Sequence, residues 1–224
     1  MRAGVTSGMT IRCVCFDWGG VILKICRSWA QGCERAGLAV RGDPATPAWA
    51  NVRKGASLEY QLGHLDDAAY FRRISEACDG LYTPEECEAI HHAWLIEEYP
   101  GVAGLIDDLH TSGVTTALLS NTNRAHWLRQ FPASGPGAWP RFGAASTLGL
   151  RHASHLLGLA KPDAAIYRAF ERQTHFHAGE ILFFDDLTEN VSTALSLGWN
   201  TVQIDHTGDT ADQMRRELQR RRVL

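Results

Sequence analysis

Apolar positions along this chain follow two rhythms that change over near residue 100. At the start, Ile11-Arg12-Cys13-Val14-Cys15-Phe16 is a short β-prone run closed by Asp17-Trp18-Gly19-Gly20, where two glycines let the backbone turn tightly. From Ser28 to about Glu98 the apolar residues recur at helical spacing, as in Ala68 to Ile74 and Glu85 to Leu95. Thr83-Pro84 supplies an N-cap and a first-turn proline for the second of these helices. No strand is expected across this stretch, which reads as a helical insert. After Tyr99-Pro100-Gly101, helix and strand alternate. A helix is expected from Val102 to His110, a strand from Val114 to Leu119 and a short helix from Asn123 to Gln130, followed by a Pro/Gly-rich loop from Phe131 to Pro140. Pro162 is expected to open a helix to about Gln173. Then come a strand (Glu180 to Phe184), a helix (Thr188 to Leu197), a strand (Thr201 to Ile204) and a basic last helix (Ala211 to Arg222). This alternation predicts an α/β fold, a parallel sheet with helices on both faces.

Composition adds limits. The chain has 224 residues, 22 basic and 25 acidic, a formal charge of −3. That length suits one medium domain, or a core with a smaller insert, and needs no disulfide or metal to fold. The near-neutral balance argues against a partner such as nucleic acid or an anionic membrane. No window approaches the ~18 apolar residues of a spanning helix, and residues 1–10 carry no signal-like apolar run. A cytoplasmic protein, monomeric or homodimeric, is the expectation. The six cysteines form no C-x-x-C pair; Cys13 and Cys15 share one face of a strand, and buried free thiols are expected. His91-His92 and His175-x-His177 lack the spacing of helical zinc ligands and are expected at the surface. Trp29, Trp49 and Trp94 are expected to pack, with room for one to face a ligand. The arginines from Arg215 to Arg222 lie among acidic residues and read as a solvated face.

Only Lys24, Lys54 and Lys161 are lysines, which makes Lys161 conspicuous beside the chemistry that follows. Ligands of open α/β sheets bind at the carboxyl ends of strands. The residues directly after the expected strands are Asp17, Ser120-Asn121 and Asp185-Asp186, and Lys161 precedes a helix. Each alone is an ordinary cap or turn residue. Together they bring three carboxylates to one edge, where they repel unless a hard cation such as Mg²⁺ lies among them. Lys161, Ser120 and the amides of the Gly19-Gly20 turn would then form a phosphate seat.

In that order, Asp17, Ser120, Lys161 and Asp185-Asp186 resemble the four motifs of the haloacid dehalogenase superfamily of phosphotransferases. The flanking residues match as well: Phe16 to Ile22, Leu119 to Asn123, Gly158 to Asp163 with Ile166-Tyr167, and Phe184 to Asn190. The likeness runs from about residue 11 to 206, and Tyr60 to Gly63 with Phe71 is similar to the first cap helices of a sugar-phosphate phosphatase branch. The resemblance implies a Rossmann-like core (1–23 and 99–224) and a helical cap (24–98). It implies Mg²⁺-dependent hydrolysis of a small phosphorylated metabolite, with sugar phosphates among the candidates. Asp17 would be the nucleophile, forming an aspartyl-phosphate. Asp17, the Gly19 carbonyl and Asp186 would hold Mg²⁺, with Asp185 in support. Ser120, Asn121, Lys161 and Gly20 would hold the phosphate, and Asn190 would orient the last loop. One position departs: most phosphatases of the family carry a second Asp, the general acid, where this chain has Gly19. A branch similar to glucose-1-phosphate phosphatase shares that glycine, and an easily expelled oxygen, such as an anomeric one, needs less protonation. Two alternatives stay open: a metal-free dehalogenase attacking carbon, and a non-catalytic binder of phosphate ligands.

Overall fold

Four consecutive residues with no solvent exposure, Cys13–Phe16, form β1 at the centre of a five-stranded sheet. The computed structural model describes residues 10–131 and 142–224. Its strands are β1, β2 (Leu23–Ile25), β3 (Leu95–Glu98), β4 (Thr115–Ser120), β5 (Leu150–Ala153), β6 (Ile181–Asp185) and β7 (Asn200–Gln203). The helices are α1 (Trp29–Arg35), α2 (Pro47–Gln61), α3 (Asp67–Ala77), α4 (Pro84–Ala93), α5 (Val102–Ser112), α6 (Arg124–Gln130), α7 (Ser154–Leu157), α8 (Ala164–Thr174), α9 (Thr188–Ser196) and α10 (Thr210–Arg220). The sheet runs β5-β4-β1-β6-β7, parallel throughout, so the expected α/β architecture holds.

Because strand side chains alternate, β1 feeds two cores. Val14 and Phe16 pack with Leu118, Leu182 and Phe184 against α5 and α10; Cys13 and Cys15 pack with Leu119, Phe183 and α8 on the other face. Phe16 and Phe184 stack with ring centroids 5.7 Å apart, and truncating either is expected to cost about 3–5 kcal/mol. All six cysteines are free and buried, and burial pushes the Cys13 thiol up to about 12, so it stays protonated at neutral pH. The chain builds outward from β1 through β4 and β5, then returns to β6 and β7 on the other side. Strand order thus reverses beside β1, and a crevice opens at its carboxyl end.

Helices α1–α4 fill the span between β2 and β3 and share their own apolar cluster, including Tyr60, Tyr70, Phe71, Ile74, Cys87 and Ile90. Helix α4 begins as read, with Thr83 accepting from the Glu86 N–H and Glu86 accepting from the Thr83 N–H. The expectation of no strand up to Glu98 is corrected. Leu95–Glu98 pairs antiparallel with Leu23–Ile25, and Lys24 meets Glu97 across the ribbon at 2.8 Å. Three- and four-residue strands are too short to show a period against flanking helices. Strand β5 escaped for the same reason. Pro162 lies ahead of α8 rather than in it; Asp163 caps that helix by accepting from the Ala165 N–H at 2.8 Å. Of the expected loop, only Phe131 falls within the described residues. No helix among the described residues is long and apolar enough to cross a membrane.

Candidate active site

Three neighbouring strands, β4, β1 and β6, deliver Ser120, Asp17 and Asp185 to one edge, because their register sets Leu118, Phe16 and Phe184 side by side. Asp17 is held by its own N–H, which donates to the Phe184 carbonyl at 2.8 Å. The carboxylates of Asp17, Asp185 and Asp186 have oxygens within 4.8 Å of one another, and all three residues are buried. Lys161 Nζ lies 2.9 Å from Asp17 Oδ1 and 2.6 Å from Asp185 Oδ2, its side chain 1% exposed. Arg27 reaches Asp186 Oδ2 at 2.8 Å from the partly exposed side. The structure therefore brings Asp17, Ser120, Lys161, Asp185 and Asp186 together as the sequence suggests.

The two acidic residues of the pair differ in freedom. Asp185 accepts from the Leu187 N–H at 2.9 Å, through both its oxygens from the Asn190 Nδ2 at 3.0 Å, and from Lys161. Those bonds use its lone pairs and fix its orientation. Asp186 carries only the Arg27 contact among the described side chains, which leaves it free to serve a cation. Burial pushes Asp17 up to about 6 although Lys161 pulls it down, and Asp186 is raised by the same cause against the pull of Arg27. Two buried carboxylates that remain under-neutralised beside two cationic side chains fit a hard divalent ion with oxygen ligands. Burial alone would lower the Lys161 ammonium, but Asp17 and Asp185 outweigh it and hold it charged.

Two residues expected at the phosphate have partners within the fold. Gly20 donates its N–H to the Leu23 carbonyl at 2.7 Å, so that amide is committed to the turn. What the position demands is no side chain: at φ +89° a Cβ would stand 2.4 Å from Asp186 Oδ2 and 2.5 Å from Arg27 Nη2. Gly20→Ala is expected to destabilise the fold by about 2 kcal/mol, checked by thermal unfolding. The Asn121 side chain donates to the Lys161 carbonyl at 2.7 Å and accepts from the Lys161 N–H at 2.8 Å. It clamps the lysine segment instead of offering a free donor.

Residues 11–198 match the family of haloacid dehalogenase-like hydrolases. The chain belongs to that family. Among curated relatives, this hydrolase is 28% identical over 214 residues to D-ribitol-5-phosphate phosphatase of Bacteroides thetaiotaomicron, covering 91% of this chain and 97% of that one. It is 25% identical over 208 residues to mouse acyl-CoA dehydrogenase family member 10, covering 89% of this chain but spanning only 18% of that protein. Among solved structures, a haloacid dehalogenase family enzyme from Bacteroides thetaiotaomicron, crystallised with magnesium and inorganic phosphate, superposes with a TM-score of 0.70 at 21% identity. That match covers 92% of this chain and 100% of the other.

A cavity of about 570 Å³ runs from Trp18, Gly19 and Ser120 up between α1, α2, α3 and α4 of the hydrolase. Sequence reasoning missed most of its walls. His91 was expected at the surface; it is half-buried, stacked on His126 at 3.8 Å, with Nε2 3.2 Å from Asn123 Oδ1. Burial first, then His126, holds His91 well below the usual histidine range, so it is neutral at pH 7. His175 and His177 are exposed, as read. Trp29 and Trp94 both line the cavity. The signals for these residues were weak because helical spacing marks a buried face without saying that it faces a void.

Proposed function

We propose that this hydrolase is a Mg²⁺-dependent phosphatase of small phosphorylated metabolites. The observation that carries the reading is the Asp17 carboxylate, fixed beside Lys161 and grouped with Asp185 and Asp186 at the carboxyl end of the central strand. Asp17 attacks phosphorus, the bond from phosphorus to the leaving oxygen breaks, and the phosphoryl group is carried on the aspartate until water releases it as inorganic phosphate. Ser120 holds a phosphoryl oxygen, and Lys161 neutralises charge that develops there. Asp17, Asp186 and the Gly19 carbonyl would hold Mg²⁺, with Asp185 fixed behind them by Asn190. When bound, that ion supplies positive charge toward the phosphoryl oxygens. Helices α1–α4 serve as the cap that excludes water and shapes the substrate site. The related ribitol phosphatase and the magnesium- and phosphate-bound structure support this reading.

Phosphate release from acetyl phosphate tests it: turnover with Mg²⁺ and none with a chelator supports the reading, and no turnover in either condition overturns it. A dehalogenase needs one carboxylate and no cation, so the three-carboxylate group argues against that alternative; metal-independent halide release would reinstate it.

A pH dependence follows from Asp17. The attacking and metal-holding form is the carboxylate, and its affinity for protons is raised to about 6. Mg²⁺ affinity is therefore expected to fall about tenfold per pH unit below about 6, as protons compete for the ligand. Calorimetric titration at pH 5, 6 and 7 checks this.

Position 19 limits the leaving group. A Cβ there would stand 2.9 Å from Ile25 Cδ1, so the isoleucine occupies the room an acid would need. Losing such an acid is worth roughly 10²–10⁴ in rate. The leaving oxygen must then depart readily, as the anomeric oxygen of a sugar 1-phosphate or an aryl oxygen does.

A further inference from the structure

The cavity separates those two leaving groups by its chemistry. Trp18, Trp29, Trp94, Tyr60, Tyr70 and Ile90 give it broad aromatic and aliphatic walls. Tyr60 and Tyr70 stack at 4.1 Å and 17°, and His91 lies on His126 at 10°, so these wall rings hold one another in place. No Asp or Glu is among the described residues that line the cavity, and its neutral polar side chains, such as Gln61, Thr122 and Asn123, are fewer than its apolar and aromatic ones. A polyol needs several planar acceptors for its hydroxyls, and a hydroxyl buried without a partner costs about 1–3 kcal/mol. The tyrosine hydroxyls already have partners: Tyr60 donates to Asp67 at 2.7 Å, and Tyr70 meets Ser57 at 3.2 Å. Cations also line the cavity: Arg53, which lies over the Trp29 ring at 5.3 Å, Lys54, and Arg27, which meets Asp186.

The same lining bears on the proton. The described lining residues include no carboxylic acid to protonate a strongly basic alkoxide, and His91 is already engaged with Asn123. A phenol-type oxygen, with a pKa of about 10, leaves far more readily than an alkyl oxygen near the ~16 of water.

We propose that the substrates are aryl phosphates, the ring lying between the aromatic walls of the cavity and the phosphate at Asp17, Ser120 and Lys161. This rests on the phosphatase reading above. Asp17 oxygen bonds to phosphorus as the phosphorus–aryl oxygen bond breaks. The aryl oxide leaves with the electron pair and takes a proton from water. A second water then splits the aspartyl-phosphate, so aryl phosphate and water yield the phenol and inorganic phosphate.

The test compares kcat/KM with Mg²⁺ for phenyl phosphate, p-nitrophenyl phosphate, glucose 1-phosphate, ribitol 5-phosphate and acetyl phosphate, the last having no body to fill the cavity. Phenyl phosphate is expected to exceed both polyol phosphates at least a hundredfold, and p-nitrophenyl phosphate to exceed phenyl phosphate at least tenfold. Trp94→Ala is expected to lower the phenyl-to-acetyl phosphate ratio at least tenfold, a ratio insensitive to the fraction of folded enzyme. Polyol phosphates equal to or better than phenyl phosphate would overturn the aryl assignment while acetyl phosphate turnover preserved the phosphatase reading. Equal rates for the two aryl esters would reveal a proton donor and overturn it too. No turnover of any ester, acetyl phosphate included, would overturn both.

Discussion

Asp17→Asn is expected to lower phosphate release at least about 10⁴-fold, because it removes the proposed nucleophile and leaves every neighbour in place. The amide has the shape of the carboxyl group it replaces, and Lys161 keeps Asp185 at 2.6 Å. Stability should not suffer. The folded-state affinity of Asp17 for protons is raised from the ordinary 3.8 to about 6, so holding it ionised at pH 7 works against the fold. The sign follows: protonating the native aspartate between pH 6 and 4 relieves that cost, and the neutral asparagine relieves it at all pH values. The melting temperature of the variant at pH 7 is therefore expected to equal or exceed that of the native chain. Loss of activity with a lowered melting temperature would mean that Asp17 is structural. Turnover near the native rate would sink the mechanism.

Lys161→Ala is expected to damage both stability and rate. Its ammonium is the buried cation shared by Asp17 and Asp185, and removing one member of a buried ion pair costs about 3–5 kcal/mol. In a chain of this length that lowers the melting temperature by about 10 °C. Turnover is expected to fall at least about 10²-fold, since the proposed role of Lys161 is to neutralise charge on the phosphoryl oxygens. Lys161 also pulls the Asp17 titration downward, so its removal shifts the acid limb of activity to higher pH. Lys161→Arg should rescue little, because a planar guanidinium does not fit where a compact ammonium meets two carboxylates within 3 Å. Differential scanning calorimetry and a pH–rate profile at saturating Mg²⁺ measure these effects.

How far the sequence could be read depended on how local each signal was. Asp17, Ser120 and Asp185 each follow a strand whose apolar run is visible on its own, and parallel pairing does the rest. Lys161 stood out because the chain has only three lysines. The N-cap at Thr83 was legible because Thr83-Pro84 is a signal two residues long, while Glu86, which completes the capping box, went unread. Arg27 was not: it meets Asp186 from 159 residues away, and nothing beside it in the chain marks the contact. His91 escaped likewise. Its place is set by His126 and Asn123 of α6 and the loop before it, a tertiary neighbour that helical spacing cannot show. Gly20 was legible as a turn residue, but its amide partner and its closeness to Asp186 needed coordinates.

The placement of β1 also has a kinetic side. Cys13 pairs with Thr115 and Ile181, about 100 and about 170 residues downstream, so the central strand has no local partner. Closing loops of that length costs chain entropy before any ladder bond repays it, and topologies of this kind fold slowly. The segment bearing Asp17 therefore waits, with Cys13 and Cys15 reachable by oxidants, until most of the polypeptide has formed around it. β1, the first described strand, is thus paired only by strands far downstream in the chain.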